Sequence, residues 1–195
     1  MHTHRSREET RARIIDQAHT LFRQYSYTKT TVAEIARELN MSPANIYKFF
    51  PSKNALIEEC AERNICVIKD KMTESIRTKK GAVDRLLGVV LTIYDFHRDH
   101  LRNEHQIYKL VIAANEENWS CVRLFKEFLN KTLAGIIEEG IRSGEFRPVD
   151  TAATTAILID CFTWITNPVL LKEIDPNQVE NRARAQIQLI KQGLQ

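Results

Sequence analysis

Residues 31–50, with the sequence TVAEIARELNMSPANIYKFF, decide the fold of this chain. Thr31 is a good N-cap for a helix, because its hydroxyl can accept a hydrogen bond from an amide of the first turn. The apolar residues that follow repeat at the spacing of one helical face: Val32, Ile35, Ala36 and Leu39. Asn40 tolerates the left-handed conformation that often ends a helix. The stretch therefore predicts a short helix that ends at Asn40.

Ser42 and Pro43 predict a second short helix directly after the first. Serine is a favourable N-cap, and proline at the first helical position needs no amide partner there. We expect this helix to end near Phe50, because Pro51 disfavours helical geometry in the residue before it. Two short helices joined by a tight turn are typical of a helix-turn-helix domain.

A longer helix is predicted on each side of this pair. Residues 7–25 carry an apolar stripe on one face, formed by Ile14, Ala18, Leu21, Phe22 and Tyr25. The helix on the other side runs from Lys53 to about Ile76 and contains neither Pro nor Gly. We therefore expect an N-terminal helix-turn-helix domain over residues 1–60 and a second domain over residues 61–195.

The remainder of the chain reads as five further helices. They are predicted at about 82–101, 105–114, 120–143, 151–166 and 176–194. The helix over 151–166 is apolar nearly all round, so we expect it to be buried on most sides. Together with the last helix, it is the best candidate for a four-helix bundle between two subunits. The fold class is therefore all-α, with about nine helices.

Composition excludes several classes of protein. Of 195 residues, 43% are hydrophobic and 27% charged, which is typical of a folded globular protein rather than a disordered or fibrous one. No apolar run approaches the roughly 20 residues that span a bilayer. Residues 1–5 lack the apolar stretch of a secretory signal, so we expect a cytoplasmic protein that does not enter the membrane.

The four cysteines form no C-x-x-C pair, which argues against a disulfide scaffold or a structural zinc site. They are Cys60, Cys66, Cys121 and Cys161. Reduced thiols are the simplest interpretation. A redox-sensing role for Cys60 or Cys66 is the alternative, although the two lie on different faces of one predicted helix.

The charge is concentrated at one end of the chain. Residues 1–57 carry nine Lys and Arg against five acidic residues, a net charge of +4, whereas the remainder carries −1. A basic N-terminal segment followed by a nearly neutral remainder indicates that residues 1–57 bind a polyanion.

The helix predicted after Ser42 has the residue types that read DNA. Ile46, Phe49 and Phe50 fall on one side and can anchor it, while Ala44, Asn45 and Lys48 fall on the other. Asparagine pairs with adenine, lysine reaches guanine or a phosphate, and alanine contacts a thymine methyl group. At the flank, Tyr47 is placed to meet a phosphate, and so are Thr31 and Lys53 at helix N-termini. A solvated surface helix is the alternative.

Residues 11–57 resemble the N-terminal domain of the TetR family of bacterial transcriptional regulators. The agreement lies at Ile14–Ala18, Phe22, Thr31–Val32, Ile35–Ala36, Ser42, Ile46–Tyr47, Phe50 and Ser52–Leu56. The chain has Ser26 and Asn40 where the family usually has glycine. Residues 139–146 also resemble the turn that ends the family's long seventh helix.

The resemblance implies a function and a set of DNA contacts. It implies phosphate contacts by Thr31, Ser42, Tyr47 and Lys53, and base-facing positions at Ala44, Asn45 and Lys48. It further implies an all-α C-terminal half that dimerises and binds a small molecule. We therefore expect a homodimeric repressor that binds a palindromic operator in double-stranded DNA and is released by a small effector.

The second domain offers candidates for an effector pocket, but no recognisable signature. The candidates are Tyr94, His97, Tyr108, Phe125, Asp160 and Trp164. They combine aromatic surface with two polar groups that interrupt apolar helices, which indicates an apolar or aromatic effector. Ordinary core packing is the alternative for each aromatic residue and for His97.

Other functions have weaker support. His97, His100 and Glu104 fall on one helical stripe, and histidine and glutamate are residue types that bind zinc. Polar residues also gather at a helix end, which is the simpler explanation. We therefore expect no metal and no cofactor. We find no Gly-rich phosphate loop, no G-x-S-x-G and no H-E-x-x-H, and we expect no enzyme. The alternative function is a DNA-binding protein that acts through a protein partner in nucleoid organisation or cell division, without an effector.

Overall fold

A computed structural model describes the backbone of residues 2–194 and the side chains of residues 6–194. Residues 1–5, from which the absence of a secretory signal was inferred, have no described side chains. The described residues form nine α-helices and no strand, which confirms the all-α class. The helices are α1 (His2–Tyr25), α2 (Val32–Glu38), α3 (Pro43–Tyr47), α4 (Lys53–Thr78), α5 (Ala82–Asn103), α6 (His105–Glu116), α7 (Ser120–Arg142), α8 (Thr151–Thr166) and α9 (Pro176–Leu194).

The predicted helix ends agree with these bounds to within a few residues, with three differences. α1 begins at His2, five residues earlier than predicted, and a short 3₁₀ helix at Leu171–Glu173 was not predicted. α3 ends at Tyr47 rather than near Phe50. The amides of Phe49 and Phe50 both donate to the carbonyl of Ile46, at 2.9 and 3.0 Å, so the helix closes in a tight turn.

The chain packs into two compact units. One unit comprises residues 2–64 and 100–121, and the other comprises residues 65–99 and 122–194. Residues 100–121, which include α6, thus pack with the N-terminal helices although the proposed division places them in the second domain. Within that unit, α1 contacts both α2 and α6. The functional division into 1–60 and 61–195 stays a prediction.

The first unit encloses its own apolar core. α1, α2, α3 and the start of α4 contribute buried aliphatic and aromatic residues to it: Ile14, Ala18, Phe22, Ile35, Ile46, Phe50 and Leu56. Tyr25, the last residue of the predicted stripe on α1, is instead exposed. The N-caps predicted at Thr31 and Ser42 are confirmed, since each side chain accepts a hydrogen bond from the amide three residues later.

The turn between α1 and α2 holds a serine in a conformation that favours glycine. Ser26 has φ +94°, and Asn40 after α2 has φ +55°. The Ser26 carbonyl accepts hydrogen bonds from the amide and hydroxyl of Thr30, and its hydroxyl accepts one from the amide of Thr28 at 3.2 Å. These bonds keep the turn that the family usually builds with glycine.

We expect Ser26→Gly to raise the free energy of unfolding by roughly 0.5–1 kcal/mol, because relief of the positive φ outweighs the lost hydroxyl bond and the added chain entropy. Ser26→Ala keeps the strained backbone and loses the hydroxyl, so it should be less stable than the wild type. Thermal or urea unfolding of the two variants measures both effects. A loss of stability in Ser26→Gly equal to that in Ser26→Ala would show that the hydroxyl alone holds the turn.

The second unit is built around α5, α7, α8 and α9, and residues 139–146 join two of its helices. Glu145 accepts hydrogen bonds from the amides of Ala82 (2.7 Å) and Val83 (3.1 Å), which caps the N-terminus of α5. A Cβ atom at Gly140 would clash with the ring of Phe146, so this position requires glycine for close packing. The segment therefore fixes the end of α7 against the start of α5.

α8 departs from its prediction. Only one of its faces is buried, through Thr155, Leu158, Phe162 and Ile165. The opposite face is exposed and mostly apolar: it carries Ala152, Ala153, Ala156, Ile157 and Asp160, with Ile157 58% exposed. The expectation of burial on most sides is thus wrong for the single chain, because helical hydropathy does not distinguish a core from a face left for another chain. Within residues 2–194, no helix is long and apolar enough to span a bilayer.

Candidate nucleic-acid interface

α3 is anchored on one side and open on the other. Ile46 and Phe50 are only 1% and 3% exposed, and they fix α3 in the core of the first unit. Phe49, predicted to share this anchoring side, is only half-buried. At the start of α3, the Ser42 hydroxyl accepts a hydrogen bond from the amide of Asn45 at 3.3 Å. Cap and anchors together orient a helix of only five residues.

The predicted base-facing residues lie on the open side of α3. Ala44 and Lys48 are exposed, and Asn45 is half-buried. Tyr47, predicted to contact a phosphate, is 49% exposed. A small side chain, an amide and an ammonium group thus lie along one accessible edge, which is the chemistry that the major groove accommodates.

Three of the predicted phosphate contacts lie at helix N-termini. Thr31 caps α2, Ser42 caps α3, and Lys53 is the first residue of α4. Lys53 Nζ donates to the carbonyl oxygen of Thr28 at 3.1 Å, which fixes the ammonium group against the turn before α2. Because an ammonium group has three donors, Lys53 keeps two for a phosphate.

Glu34 is a charged residue of this surface that the sequence reasoning missed. Its carboxylate accepts hydrogen bonds from the amide of Thr31 at 2.7 Å and from the Thr31 hydroxyl at 2.9 Å. These bonds lower the pKa of Glu34. Any phosphate at the start of α2 must therefore bind beside a carboxylate that already holds Thr31. The T-x-x-E pattern at residues 31–34 is the sequence signal of this capping box.

We expect Lys53→Ala to weaken binding to all DNA sequences about equally and to reduce the slope of log K against log[salt] by about 1 per subunit, because one phosphate contact is lost. Fluorescence anisotropy at several salt concentrations measures this slope. Lys131→Ala, at an exposed position of α7, is the matched control and should leave the slope unchanged. An unchanged slope in Lys53→Ala would exclude the phosphate contact.

The six predicted effector residues fall in both compact units. Tyr108 on α6 belongs to the first unit and is fully buried. The other five lie in the second unit, where Tyr94 and His97 are buried, Phe125 and Trp164 half-buried, and Asp160 exposed. Trp164 is held in place, since its indole N–H donates to Gln186 at 2.9 Å and Arg182 lies 4.1 Å from its ring centre.

A narrow apolar pocket lies in the second unit, between α5, α7 and α8. Its cavity volume is about 20 Å³, roughly the space of one water molecule, and it is lined by Leu86, Val89, Val90, Ile93, Leu129, Leu133, Leu158, Ile159, Phe162 and Thr166. None of the six predicted effector residues lines it. Sequence reasoning could not find this pocket, because its aliphatic lining has the same helical spacing as an ordinary core.

The geometry gives no support to the metal alternative, and it argues against a reactive thiol at Cys60. His100 Nε2 lies 3.6 Å from a Glu104 carboxylate oxygen, and Arg23 lies 3.4 Å from the same carboxylate group. Among the described residues, no three His, Cys, Asp or Glu side chains are placed to hold a metal ion. Burial raises the pKa of the Cys60 thiol to about 12, so this thiol stays protonated and unreactive near neutral pH. Cys66 is exposed.

Two of the known proteins that this chain resembles are a transcriptional regulator and a nucleoid occlusion factor. YhgD of Bacillus subtilis (strain 168), an uncharacterized HTH-type transcriptional regulator, is 24% identical over 154 residues, which cover 76% of this chain and 78% of YhgD. The nucleoid occlusion factor SlmA of Haemophilus influenzae (strain PittGG) is 30% identical over 80 residues, covering 41% of this chain and 37% of SlmA.

A solved structure shares the fold over nearly the whole chain. The transcriptional regulator FadR from Bacillus subtilis, crystallised in complex with stearoyl-CoA, superposes with a TM-score of 0.63 at 19% identity. The superposition covers 94% of this chain and 99% of the FadR chain. At this identity the similarity concerns the fold alone.

Two family models together match most of the chain. Residues 14–60 match the model of bacterial regulatory proteins of the tetR family, and residues 82–186 match the tetracyclin repressor-like C-terminal domain. The first match contains α2, α3 and the residues proposed to contact DNA. The chain therefore belongs to the TetR family of transcriptional regulators.

Proposed function

We propose that this regulator is a cytoplasmic repressor that binds a palindromic operator as a homodimer and is released by a small apolar or aromatic effector. The observation that carries the proposal is the accessible edge of α3, where Ala44, Tyr47 and Lys48 are exposed next to the half-buried Asn45. The helix N-termini of α2, α3 and α4, with Thr31, Ser42 and Lys53, supply the phosphate contacts that would orient this edge.

The size of α3 supports binding as a dimer. A helix of five residues reaches too few base pairs to specify a site. Two copies related by a two-fold axis read a palindrome, with half-sites about one DNA turn apart, ~34–36 Å, or a multiple of it.

The exposed face of α8 supports the same assembly. Ile157 is 58% exposed and Leu189 on α9 is 69% exposed, and both lie in the second unit. Such apolar surface is typical of an interface in a homo-oligomer. We propose that α8 and α9 pair with those of a second copy.

The lining of the apolar pocket supports a small effector with an aliphatic or aromatic body, which would have to part α5, α7 and α8, since the cavity of about 20 Å³ is smaller than such a compound. Its lining is aliphatic apart from Phe162 and Thr166, so binding there rests on burial of apolar surface. FadR, which shares the fold, was crystallised with stearoyl-CoA, and an acyl chain has this character. α4 contributes to both compact units as one uninterrupted helix, and we propose that it transmits effector binding to α3.

Footprinting on the DNA that flanks the coding region tests this proposal. The expected result is one protected, two-fold symmetric site that a panel of apolar metabolites releases. Failure to protect any symmetric site with the purified protein would contradict it.

The similarity to SlmA favours a second candidate function, a DNA-binding protein that acts through a protein partner without an effector. The same footprinting separates the two candidates. Many dispersed sites on chromosomal DNA, unaffected by every metabolite, would favour the partner role, whereas a single effector-sensitive operator would favour the repressor.

A further inference from the structure

Two arginines on α1 lie over the aromatic pair that follows α3. The guanidinium carbon of Arg7 is 5.9 Å from the ring centre of Phe49, and that of Arg11 is 5.1 Å from the ring centre of Phe50. Arg7 and Arg11 are four residues apart, so they share one face of α1. The N-terminal part of α1 thus lies beside Phe49 and Phe50, the two residues that follow the end of α3 and Lys48.

The two arginines differ in what balances their charge. Arg11 also forms a hydrogen-bonded ion pair with Glu59 on α4, over the ring of the buried Phe50. Its charge is compensated, and its role is to hold α1 against α4. Arg7 is exposed, and the described part of the chain places no carboxylate within 4.0 Å of it. Its charge is restrained by Phe49 but not neutralised.

The position of Phe49 determines what this charge can meet. Phe49 directly follows Lys48, which is exposed on the reading edge of α3. A duplex bound along that edge presents its phosphate backbone on either side of the groove. A guanidinium group is planar and offers five N–H donors, which suits a phosphate, and stacking on an aromatic face leaves those in-plane donors available.

We infer that Arg7, held in place by the ring of Phe49, contacts a backbone phosphate and extends the DNA interface from α3 onto α1. Phe49 is then a positioning residue that acts through Arg7. This inference rests on the proposed function, because it requires that α3 binds DNA. It adds a contact that neither the sequence motif nor the family resemblance assigned.

The test compares Arg7→Gln with Arg13→Gln in the full-length protein, using anisotropy on an operator duplex at several salt concentrations. Arg13 is also exposed on α1 and loses the same charge, but two residues beyond Arg11 it faces away from Phe49. We expect Arg7→Gln to lower the salt slope by about 1 per subunit and Arg13→Gln to leave it unchanged. Equal slopes in the two variants would overturn the inference.

Two further variants separate positioning from charge. Phe49→Leu should weaken DNA binding in the wild type but have no further effect in Arg7→Gln, because both changes remove the same contact. Additive effects of the two changes would overturn the role of Phe49. Arg7→Lys keeps a charge and should retain most of the slope. If the wild type itself shows no preference for an operator, the proposed function fails. If the wild type prefers the operator but Arg7→Gln has the same salt slope as its control Arg13→Gln, this inference alone fails.

Discussion

Ile157→Glu should convert the proposed homodimer to a monomer and weaken operator binding by about 10²–10⁴-fold. The side chain is 58% exposed on the apolar face of α8, so the single chain tolerates a charge there. In the proposed interface the same carboxylate would be buried without a partner, which costs several kcal/mol. Loss of the dimer removes the gain from binding two half-sites at once. Analytical ultracentrifugation and anisotropy measure the two effects.

Leu124→Glu is the matched control for this prediction. Leu124 lies on α7, is 53% exposed and undergoes a comparable change from an aliphatic to an acidic side chain. It should leave the mass and the operator affinity unchanged. A monomeric Leu124→Glu and a dimeric Ile157→Glu would place the dimer interface on α7 instead of α8.

Effector and operator should weaken each other's binding by the same factor, in the range of about 5- to 150-fold. Thermodynamic linkage requires this reciprocity for any compound that releases the protein from DNA through an allosteric change. Calorimetric titration of a releasing compound, with and without saturating operator, measures the factor. Equal affinities in the two titrations would rule out allosteric repression by that compound.

Leu133→Trp links this coupling to the apolar pocket. Leu133 is a buried residue of α7 that lines the pocket, and an indole ring there would occupy the space into which the pocket must widen to admit an effector. We expect this variant to lose effector binding and to keep operator binding in the presence of the compound. Thermal unfolding checks that the protein remains folded, since overpacking a core costs about 1–3 kcal/mol. Unchanged effector affinity in the folded variant would place the effector site elsewhere.

The helix-turn-helix could be predicted from sequence because its signals are local. Thr31, Ser42 and Asn40 act within three or four residues of themselves, through caps and a left-handed turn, and the structure shows each in the expected role. The outward edge of α3 followed from the same local geometry, since Ile46 fixes which side is buried. The capping box of Thr31 and Glu34 is equally local, since its T-x-x-E pattern lies within residues 31–34.

The features that the sequence did not predict depend on residues far apart in the chain. The contacts of Arg7 with Phe49 and of Arg11 with Glu59 join segments separated by more than 40 residues. The apolar pocket needs three helices to be assembled, and hydropathy alone cannot distinguish its lining from a core. For α8, the apolar pattern alone does not show that one face of the helix remains exposed.

The most direct test of the account is a comparison of wild type and Asn45→Ala on a set of operators, each substituted at one position of the half-site. If the edge of α3 reads bases, the wild type should discriminate by about 1–3 kcal/mol at each contacted position. Asn45→Ala should lose that discrimination at one position and its symmetric mate, and keep it at the others. If Asn45→Ala discriminates between bases as the wild type does at every position, the claim that α3 reads DNA through this edge is contradicted.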